Sequence, residues 1–248
     1  NQVSGEQPRA LANGVLMYAK NIDRLEALGD LATQIVQKHV ALQILPEHYP
    51  IVGACLLRAI REVLGAEIAT DAVIEAWAAA YGQLADILIG AEAAEYDRKA
   101  GGPGGWRGAR AFRVARKEAE SAEITSCYLE PDDGQPVLDF APGQYIGLRL
   151  DVDGQDVRRN YSISSPRSRL AREGELEIGI RPVEGGLFSN WATRAIKAGD
   201  TLQVMPPDGR VVVKKKRAIH RVGFAAGSGI TPILSIAATT LEEQPDSK

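Results

Sequence analysis

Three short segments of this chain carry residue types that bind flavin and phosphate groups, and they occur in a fixed order. Their sequences are Arg-Asn-Tyr-Ser-Ile-Ser at residues 159–164, Gly-Gly-Leu-Phe-Ser at residues 185–189 and Gly-Ser-Gly-Ile-Thr-Pro at residues 227–232. In the first, the arginine can meet a pyrophosphate, the tyrosine ring can pack on an isoalloxazine, and the serine hydroxyl can bond a ring nitrogen. Each segment alone is a weak signal, but the ordered set is a strong one.

The second segment has a mechanism for holding phosphate. Gly185 and Gly186 allow close backbone approach. We expect Ser189 to cap a helix over residues 190–196, whose N-terminal amides would face a pyrophosphate. A glycine turn before a capped helix, with no ligand, is the structural alternative and stays open.

The third segment predicts a phosphate-facing turn between a strand and a helix. We expect a buried strand at residues 222–226, then Thr231 as the helix N-cap and Pro232 as the first helical residue. The spacing departs from the GxGxxG fingerprint, so a standard dinucleotide-binding motif is not indicated. A structural turn and a phosphate-binding turn are both open here.

Composition excludes several classes of protein. Of 248 residues, 45% are apolar and 25% charged, which is typical of a soluble globular protein with one or two domains. The net charge of −3 does not favour binding to nucleic acid or an anionic membrane, and no apolar run approaches the roughly 18 residues of a membrane span. Cys55 and Cys127 stand alone, so neither a disulfide framework nor a zinc site is indicated and a reducing cytoplasm fits.

The first part of the chain, residues 1–98, predicts an all-α domain. Apolar residues recur at helical spacing, and the last helix has a stripe of Trp77, Tyr81, Leu84 and Leu88. Helices are predicted over residues 8–28, over residues 31–40, from Pro46 to a stop at Gly65, and from Thr70 or Asp71 to about Arg98.

After a Gly-rich linker at residues 99–108, the pattern becomes that of β-strands. Residues 109–217 predict a small antiparallel barrel. Its strands are expected at residues 112–116, 124–129, 145–152, 159–164, 175–181, 201–205 and 210–213. Residues 218–248 predict the beginning of an α/β nucleotide-binding domain, which makes the chain a multidomain protein.

One histidine of the helical domain could bind a metal. His39 ends an apolar-striped segment, and Tyr49 lies just beyond the following turn. Glu92 falls on the apolar stripe of the last helix, four residues after Leu88, and a carboxylate there needs a partner. Glu95 shares that face, so periodicity does not choose between the two carboxylates. A lone histidine usually has a structural role, and that alternative stays open.

The motifs of the β half resemble the ferredoxin–NADP reductase-like family. The resemblance rests on Pro-Gly-Gln-Tyr at residues 142–145, Arg-x-Tyr-Ser at 159–162, Gly-x-x-Ser at 186–189 and Gly-x-Gly-x-Thr-Pro at 227–232. It implies that the barrel binds FAD and that the following α/β domain binds NAD(P)H. The implied FAD-binding residues are Tyr145, Arg159, Asn160, Tyr161, Ser162, Gly186 and Ser189. The implied residues for the pyridine nucleotide are Gly227, Ser228, Gly229, Ile230, Thr231 and Pro232.

With its helical domain, the chain resembles the flavohemoglobins along its full length. Gln-Lys-His at residues 37–39, Pro-Glu-x-Tyr-x-Ile-Val-Gly at 46–53 and Glu-Ala-x-x-Tyr at 92–96 are similar to the globin half of that family. The resemblance implies that His39 is the proximal ligand of a haem b iron, with Tyr49 and Glu92 assigned to the catalytic set because they orient it. It also places three further residues at the haem: Gln7, Leu11 and Lys38.

The activity implied by this resemblance is that of an oxidoreductase, a nitric oxide dioxygenase. Electrons pass from NAD(P)H through FAD to haem, and nitric oxide and O2 are converted to nitrate. We expect a cytoplasmic monomer that acts on these small molecules and has no nucleic-acid partner. The first globin helices and most of the NAD domain of the family are not matched, so the chain is expected to be the central part of a longer enzyme.

Two other functions are compatible with the sequence. An FAD-dependent NAD(P)H reductase with a helical adaptor would show no change of absorption spectrum on His39→Ala. A haem-based gas sensor that retains a reductase-like module would pass no electrons from NADH to iron. The preference between NADH and NADPH is not indicated by these residues.

Overall fold

The first unit of the protein, Asn1–Glu95, is helical. The computed structural model describes residues 6–24, 29–152, 154–213 and 221–247. Its first four helices are α1 Glu6–Lys20, α2 Gly29–Ala41, α3 Tyr49–Leu64 and α4 Asp71–Gly101. The unit boundary falls within α4, between Glu95 and Tyr96.

The helix ends follow local chemistry, with one error in prediction. The predicted helix over residues 8–28 ends at Lys20, where Asn21 donates its side-chain amide to the Met17 carbonyl and the chain turns. Residues 25–28 of that prediction lie outside the described residues. A 3₁₀ turn, Pro46–His48, precedes α3, and α3 stops at Gly65, whose φ of 76° is available to glycine at little cost.

Helix α4 departs from the expectation that no apolar segment of the chain is long enough to span a membrane. It is the one unbroken helix, within the described ranges, that is long and apolar enough to cross a membrane by length and composition, with a mean hydropathy of 1.3 over 18 residues. Glu75 and Asp86 interrupt its apolar run, which is why the sequence shows no uninterrupted span. Only 11% of that window is buried, and one such helix is weak evidence for a membrane.

The second unit, Tyr96–Lys248, is built on one antiparallel sheet. The strand order is β4-β3-β6-β1-β2-β5. An isolated bridge between Ile163 and Ile178 joins the end of β4 to β5, and so brings the two edges of the sheet together as in a barrel. The strands are β1 Arg110–Ala119, β2 Thr125–Pro131, β3 Tyr145–Val152, β4 Gln155–Ser162, β5 Leu176–Ile180 and β6 Thr201–Val204.

The barrel core comes from alternate residues of these strands. Leu176, Ile178 and Ile180 of β5 are fully buried, as are Ile146 and Leu148 of β3. The same core receives Phe188 and Ala192 of a helix that packs on β3, β4 and β5. This alternation of buried and exposed positions is what made the strands visible in the sequence.

Three strand predictions are wrong, one in its bounds and two altogether. β4 begins at Gln155 rather than at residue 159, and the added part of the β3–β4 hairpin is stabilised by a hydrogen bond that Asp156 accepts from Arg149. The sequence did not predict this part of the strand because its polar residues interrupt the apolar alternation. Residues 210–213 and 222–226 form no strand. In the latter segment Val222 is 80% and Phe224 90% exposed. A strand requires a neighbour for its backbone groups, and none of the described strands lies beside either segment.

Besides the end of α4, the described part of the second unit contains the helices α5 Arg167–Glu173, α6 Leu187–Arg194 and α7 Ile230–Glu243. The sequence pattern did not predict α5. Both predicted caps are wrong, because Gly186 is the N-cap of α6 and Gly229 that of α7. Each helix therefore begins before the residue expected to cap it.

Part of the predicted linker is packed against the barrel. Trp106 is buried and its indole nitrogen donates to the Val204 carbonyl at 3.0 Å. Lys99, in the last turn of α4, forms an ion pair with Asp208 at 2.7 Å, with side chains only 4% and 6% exposed. The linker and domain boundaries drawn from sequence stay predictions. Within the segment predicted as a linker, Lys99 and Trp106 are packed against residues of the barrel.

We expect Lys99→Met to destabilise the second unit by ~3–5 kcal/mol, because the Asp208 carboxylate would be left buried without its cation. Urea unfolding followed by tryptophan fluorescence measures this loss. The matched control is Arg181→Met, which removes an ion pair with Glu123 whose side chains are 61% and 65% exposed, and should cost under about 1 kcal/mol. Equal losses in the two variants would contradict the expectation.

Candidate functional sites

A cluster of three side chains in the first unit brings together residues from three helices. His39 lies in the last turn of α2, Tyr49 is the first residue of α3, and Glu92 lies on α4. The Nδ1 atom of His39 is 2.7 Å from Oε1 of Glu92 and 3.1 Å from the Tyr49 hydroxyl. The Tyr49 hydroxyl donates to the same carboxylate oxygen at 2.5 Å.

These contacts decide where the proton of a neutral His39 lies. The carboxylate of Glu92 can only accept, and Tyr49 already donates its proton to that carboxylate. The Nδ1 atom of His39 must therefore be the donor, which leaves Nε2 unprotonated. Nε2 has no hydrogen-bond partner among the described residues, so its lone pair is available to a metal ion.

Burial fixes this cluster. Glu92 is 2% and Tyr49 7% exposed, whereas the His39 side chain is 31% exposed. The structure thus decides between the two candidate carboxylates on one face of α4, since Glu92 rather than Glu95 contacts His39. A buried carboxylate that accepts two hydrogen bonds resists displacement, and it holds the imidazole in one orientation.

A supporting residue was missed in the sequence as part of the site. The Tyr81 hydroxyl donates to the Tyr49 carbonyl at 2.8 Å. A Cβ added at Gly53 would lie 2.6 Å from Cε1 of Tyr81, so glycine at that position lets the tyrosine ring approach α3. Tyr81 was visible on the apolar stripe of α4, but nothing in its spacing indicated a contact with Tyr49.

For the other residues that the resemblance assigns to this site, the structure gives only the position in the fold. Leu11 lies on α1 and is 44% exposed, and Lys38 is exposed on α2 next to His39. Gln7 falls within α1, but its side chain lies outside the described residues. Their role stays a prediction.

The second candidate site lies on the β3–β4 ladder. Tyr161 pairs with Ile146 and Arg159 with Leu148, so alternation of side chains along β4 puts Arg159 and Tyr161 on one face. The Tyr161 ring lies 5.5 Å from that of Phe188, in the first turn of α6. The structure therefore brings the first two segments singled out in the sequence together.

Arg159 is available for an anion. Its neighbour Arg158 is paired with Asp156 at 2.9 Å, but the exposed guanidinium of Arg159 has no carboxylate partner in the described part of the chain. One of its nitrogens donates to the Arg158 carbonyl at 2.7 Å, which leaves the remaining donors for a ligand.

The remaining residues of this group lie on the opposite face of the ladder. Tyr145 pairs with Ser162 and Gly147 with Asn160. Tyr145 packs against Gly209 and exchanges backbone hydrogen bonds with Asp208 at 2.8 and 2.9 Å. A common contact of Tyr145, Asn160 and Ser162 with the ligand of Tyr161 stays a prediction.

The N-terminus of α6 is built differently from the expected serine cap. Ser189 lies inside the helix, where its hydroxyl accepts from the Val183 amide at 3.1 Å. Asn190 donates to the carbonyls of Val183 and Gly186, each at 2.6 Å. The preceding turn is thus tied to the helix by side chains, and the first amides of α6 stay available for an acceptor. A Cβ at Gly186 would lie 2.7 Å from the Ser189 hydroxyl, so glycine is required there.

The third segment forms a 3₁₀ turn, Gly227–Gly229, that leads directly into α7. Thr231 donates its hydroxyl to the Ser228 carbonyl at 2.9 Å, and Pro232 lies within the first turn. Gly227, Ser228 and Ile230 are exposed. This arrangement is a glycine turn at a helix start, and its use for a phosphate stays a prediction.

Two cavities of about 850 and 490 Å³ lie elsewhere, between α5, α7 and the segment before β3. Neither is lined by His39, Arg159 or Tyr161. Arg167, which lines both, is paired with Asp139. These two cavities are therefore not the sites that the motifs indicate.

Comparisons with known proteins match each of the two units to a known domain type. A globin family model matches residues 4–88, and a family model described as an oxidoreductase FAD-binding domain matches residues 111–213. A Flavohemoprotein of Pseudomonas aeruginosa is 58% identical over 98% of this chain, which spans 61% of that relative's length.

Two solved structures are similar to this chain. A flavohemoglobin from Malassezia yamatoensis, described with bound FAD and heme, matches 98% of this chain and 62% of its own with a TM-score of 0.79 at 23% identity, which shows the fold. The FAD/NAD-binding domain of a nitric oxide dioxygenase from Vibrio cholerae matches 57% of this chain and 60% of its own, with a TM-score of 0.50 at 34% identity.

The chain thus joins a helical unit of the globin type to a barrel of the FAD-binding domain type. It is similar to flavohemoproteins over almost its whole length and spans about three fifths of the length of the curated relatives that it matches.

Burial raises the pKa of Tyr161 to about 12, against an opposing effect of Arg159, and raises the pKa of Tyr145 to about 12 with a further contribution from Asp208. These pKa values in the folded state exceed the value of about 10 in the unfolded state. The two tyrosines therefore contribute fully to the free energy of unfolding below pH 10, and this contribution is lost as the pH rises from 10 to 12. In rapid-mixing titrations followed at the tyrosinate absorbance, Tyr161→Phe should remove part of the change near pH 12. If Tyr161→Phe instead removed part of the absorbance change near pH 10, the raised pKa of Tyr161 would be contradicted.

Proposed function

We propose that this chain is the part of a flavohemoglobin that holds haem b in its helical unit and FAD on its barrel. The whole protein would use NAD(P)H to convert nitric oxide and O2 to nitrate. The observation that carries the proposal is the His39–Glu92–Tyr49 cluster, because it presents an unprotonated imidazole nitrogen.

The residues of the helical unit fit a haem. His39 supplies the nitrogen ligand, and its contacts with Glu92 and Tyr49 set the tautomer that ligation needs. The same unit leaves several large apolar side chains exposed, such as Leu42 at 41%, Ile51 at 63% and Val52 at 37%. An apolar macrocycle would cover surface of this kind.

The residues of the barrel fit FAD. Arg159 offers an unpaired guanidinium and α6 offers N-terminal amides to the pyrophosphate, while Tyr161 offers a ring to the isoalloxazine. These groups lie on one face of β4 and on the helix in contact with it. A dinucleotide flavin has the shape and charge that this combination requires.

Each residue has a defined task in the proposed reaction. Glu92 accepts a hydrogen bond from Nδ1–H of His39 and so makes the imidazole a stronger electron donor. Tyr49 positions the Glu92 carboxylate by donating a hydrogen bond to it. Arg159 and the α6 amides hold the phosphates, so that Tyr161 can orient the ring. When bound, the two cofactors supply the redox chemistry: hydride acceptance and one-electron transfer by flavin, and oxygen chemistry by haem iron.

The remaining assignments rest on similarity to the family. Residues 227–232 would meet the pyridine nucleotide, and the protein would act as a monomer in the cytoplasm. Two free cysteines, exposed Cys55 and buried Cys127, are compatible with a reducing compartment. Nitric oxide and O2 as substrates follow from the family rather than from a contact in the site.

We expect His39→Ala to abolish the Soret band of protein expressed with added haem, because the iron would lose its only ligand from this cluster. Absorption spectra of the purified chains measure it. His48→Gln is the matched control, since the His48 ring accepts from the Leu45 amide at 2.9 Å and contacts no member of the cluster through a described hydrogen bond. A Soret band unchanged by His39→Ala would favour the reductase with a helical adaptor.

Substitution of Arg159 by alanine should weaken FAD binding by about tenfold to a hundredfold, as expected for loss of hydrogen bonds to a charged group. Fluorescence titration with FAD measures the dissociation constant. Arg158→Ala is the control, because Arg158 is already paired with Asp156. Equal effects of the two substitutions would show that only general charge is involved.

A further inference from the structure

Lys117 makes an unusual set of contacts at the far end of α6. It lies on β1, opposite Cys127 of β2. Its ammonium group donates to three backbone carbonyls: Thr193 at 2.6 Å, Ile196 at 2.9 Å and Ala192 at 3.3 Å. No carboxylate partner of Lys117 occurs among the residues that the structure describes.

This position is favourable for a cation. The last carbonyls of a helix have no partner within the helix, and the C-terminus carries a partial negative charge. Ala192 and Thr193 belong to the last turn of α6, and Ile196 follows it. Lys117 therefore uses all three of its donors on one helix end, which a surface lysine seldom does.

The anchor for these bonds is rigid. β1 pairs with β6 through Arg110–Arg113 and with β2 along most of its length, and Lys117 lies within the β1–β2 ladder opposite Cys127. Phe188, Ala192 and Ile196 are 1%, 0% and 2% exposed, so the other contacts of α6 with the core are apolar. Three hydrogen bonds to one ammonium group add a directional restraint at the C-terminal end of α6 to this apolar packing.

We propose that Lys117 is a positioning residue for the phosphate part of FAD. Helix α6 has eight residues, so its two ends are only about 12 Å apart. By fixing the C-terminal end of α6, Lys117 also fixes the position of its first amides along the helix axis, relative to Arg159 and Tyr161 of β4. This inference rests on the proposed function, in which those amides meet the pyrophosphate.

The chain offers a matched set of variants. Lys117→Met keeps an apolar stem of similar length and removes all donors, while Lys117→Arg restores a cation with several donors. Lys197→Met removes a charge three residues beyond α6 from an exposed side chain, and so controls for net charge. The probes are FAD and riboflavin, since riboflavin has the same ring without phosphate.

Dissociation constants for both probes should be measured by fluorescence titration of the whole chain. For Lys117→Met we expect affinity for FAD to fall about tenfold while affinity for riboflavin stays unchanged, because only phosphate contacts are lost. Lys117→Arg should recover most of the FAD affinity, and Lys197→Met should change neither constant. Hydrogen exchange should show faster exchange of the α6 amides in Lys117→Met, with β1 unaffected.

Several results would overturn the inference. An equal loss of affinity for FAD and riboflavin would show that Lys117 supports the barrel as a whole, and unchanged FAD affinity would show that it positions nothing. If the unsubstituted chain binds FAD no better than riboflavin, the proposed function itself fails, and this inference with it. If Lys117→Met does not fold, Lys117→Gln compared with Lys117→Arg separates loss of charge from loss of packing.

Discussion

The buried carboxylate of Glu92 is the constraint on which the helical unit depends. A carboxylate that is 2% exposed is costly unless its oxygens accept hydrogen bonds. His39 and Tyr49 supply those bonds, so three helices must meet at one point and α2, α3 and α4 are set relative to one another. The same requirement determines which nitrogen of His39 carries the proton. Stability and ligand chemistry therefore have one cause in this unit.

The barrel unit uses a comparable device twice. Lys99 and Asp208 form a buried ion pair beside the first residue of β3, Tyr145, whose backbone is hydrogen-bonded to that of Asp208. Lys117 binds the carbonyl end of α6, whose opposite end lies near Tyr161. In both cases a lysine outside the motifs fixes the backbone that presents a motif residue. Motif residues recognise a ligand, but these lysines decide where the recognising atoms are.

Sequence reasoning predicted what periodicity and turn residues encode. The apolar stripe of α4, the stop at Gly65 and the alternation in β3 and β5 were all legible, and family resemblance added the role of His39. It could not choose between Glu92 and Glu95, since both lie on one helix face and only tertiary contact distinguishes them. Ser189 looked like a cap, but Gly186 takes that position.

The errors at residues 210–213 and 222–226 have a different origin. Both segments have strand-like composition, yet strand formation depends on a neighbouring backbone that composition does not reveal. Lys117 was missed because a lysine on a strand usually faces solvent, and its sequence neighbours do not reveal its partners. Its three carbonyl partners lie more than seventy residues away in the chain.

The most direct test concerns the nitrogen that His39 presents. Resonance Raman spectroscopy of the ferrous, haem-loaded chain measures the iron–histidine stretching frequency, which rises as hydrogen bonding at Nδ1 makes the imidazole more anionic. The frequency should fall when Glu92 is replaced by glutamine, because a neutral amide is a weaker acceptor than a carboxylate. An identical frequency in both chains, or no iron–histidine band in either, would contradict the role assigned to the His39–Glu92–Tyr49 cluster.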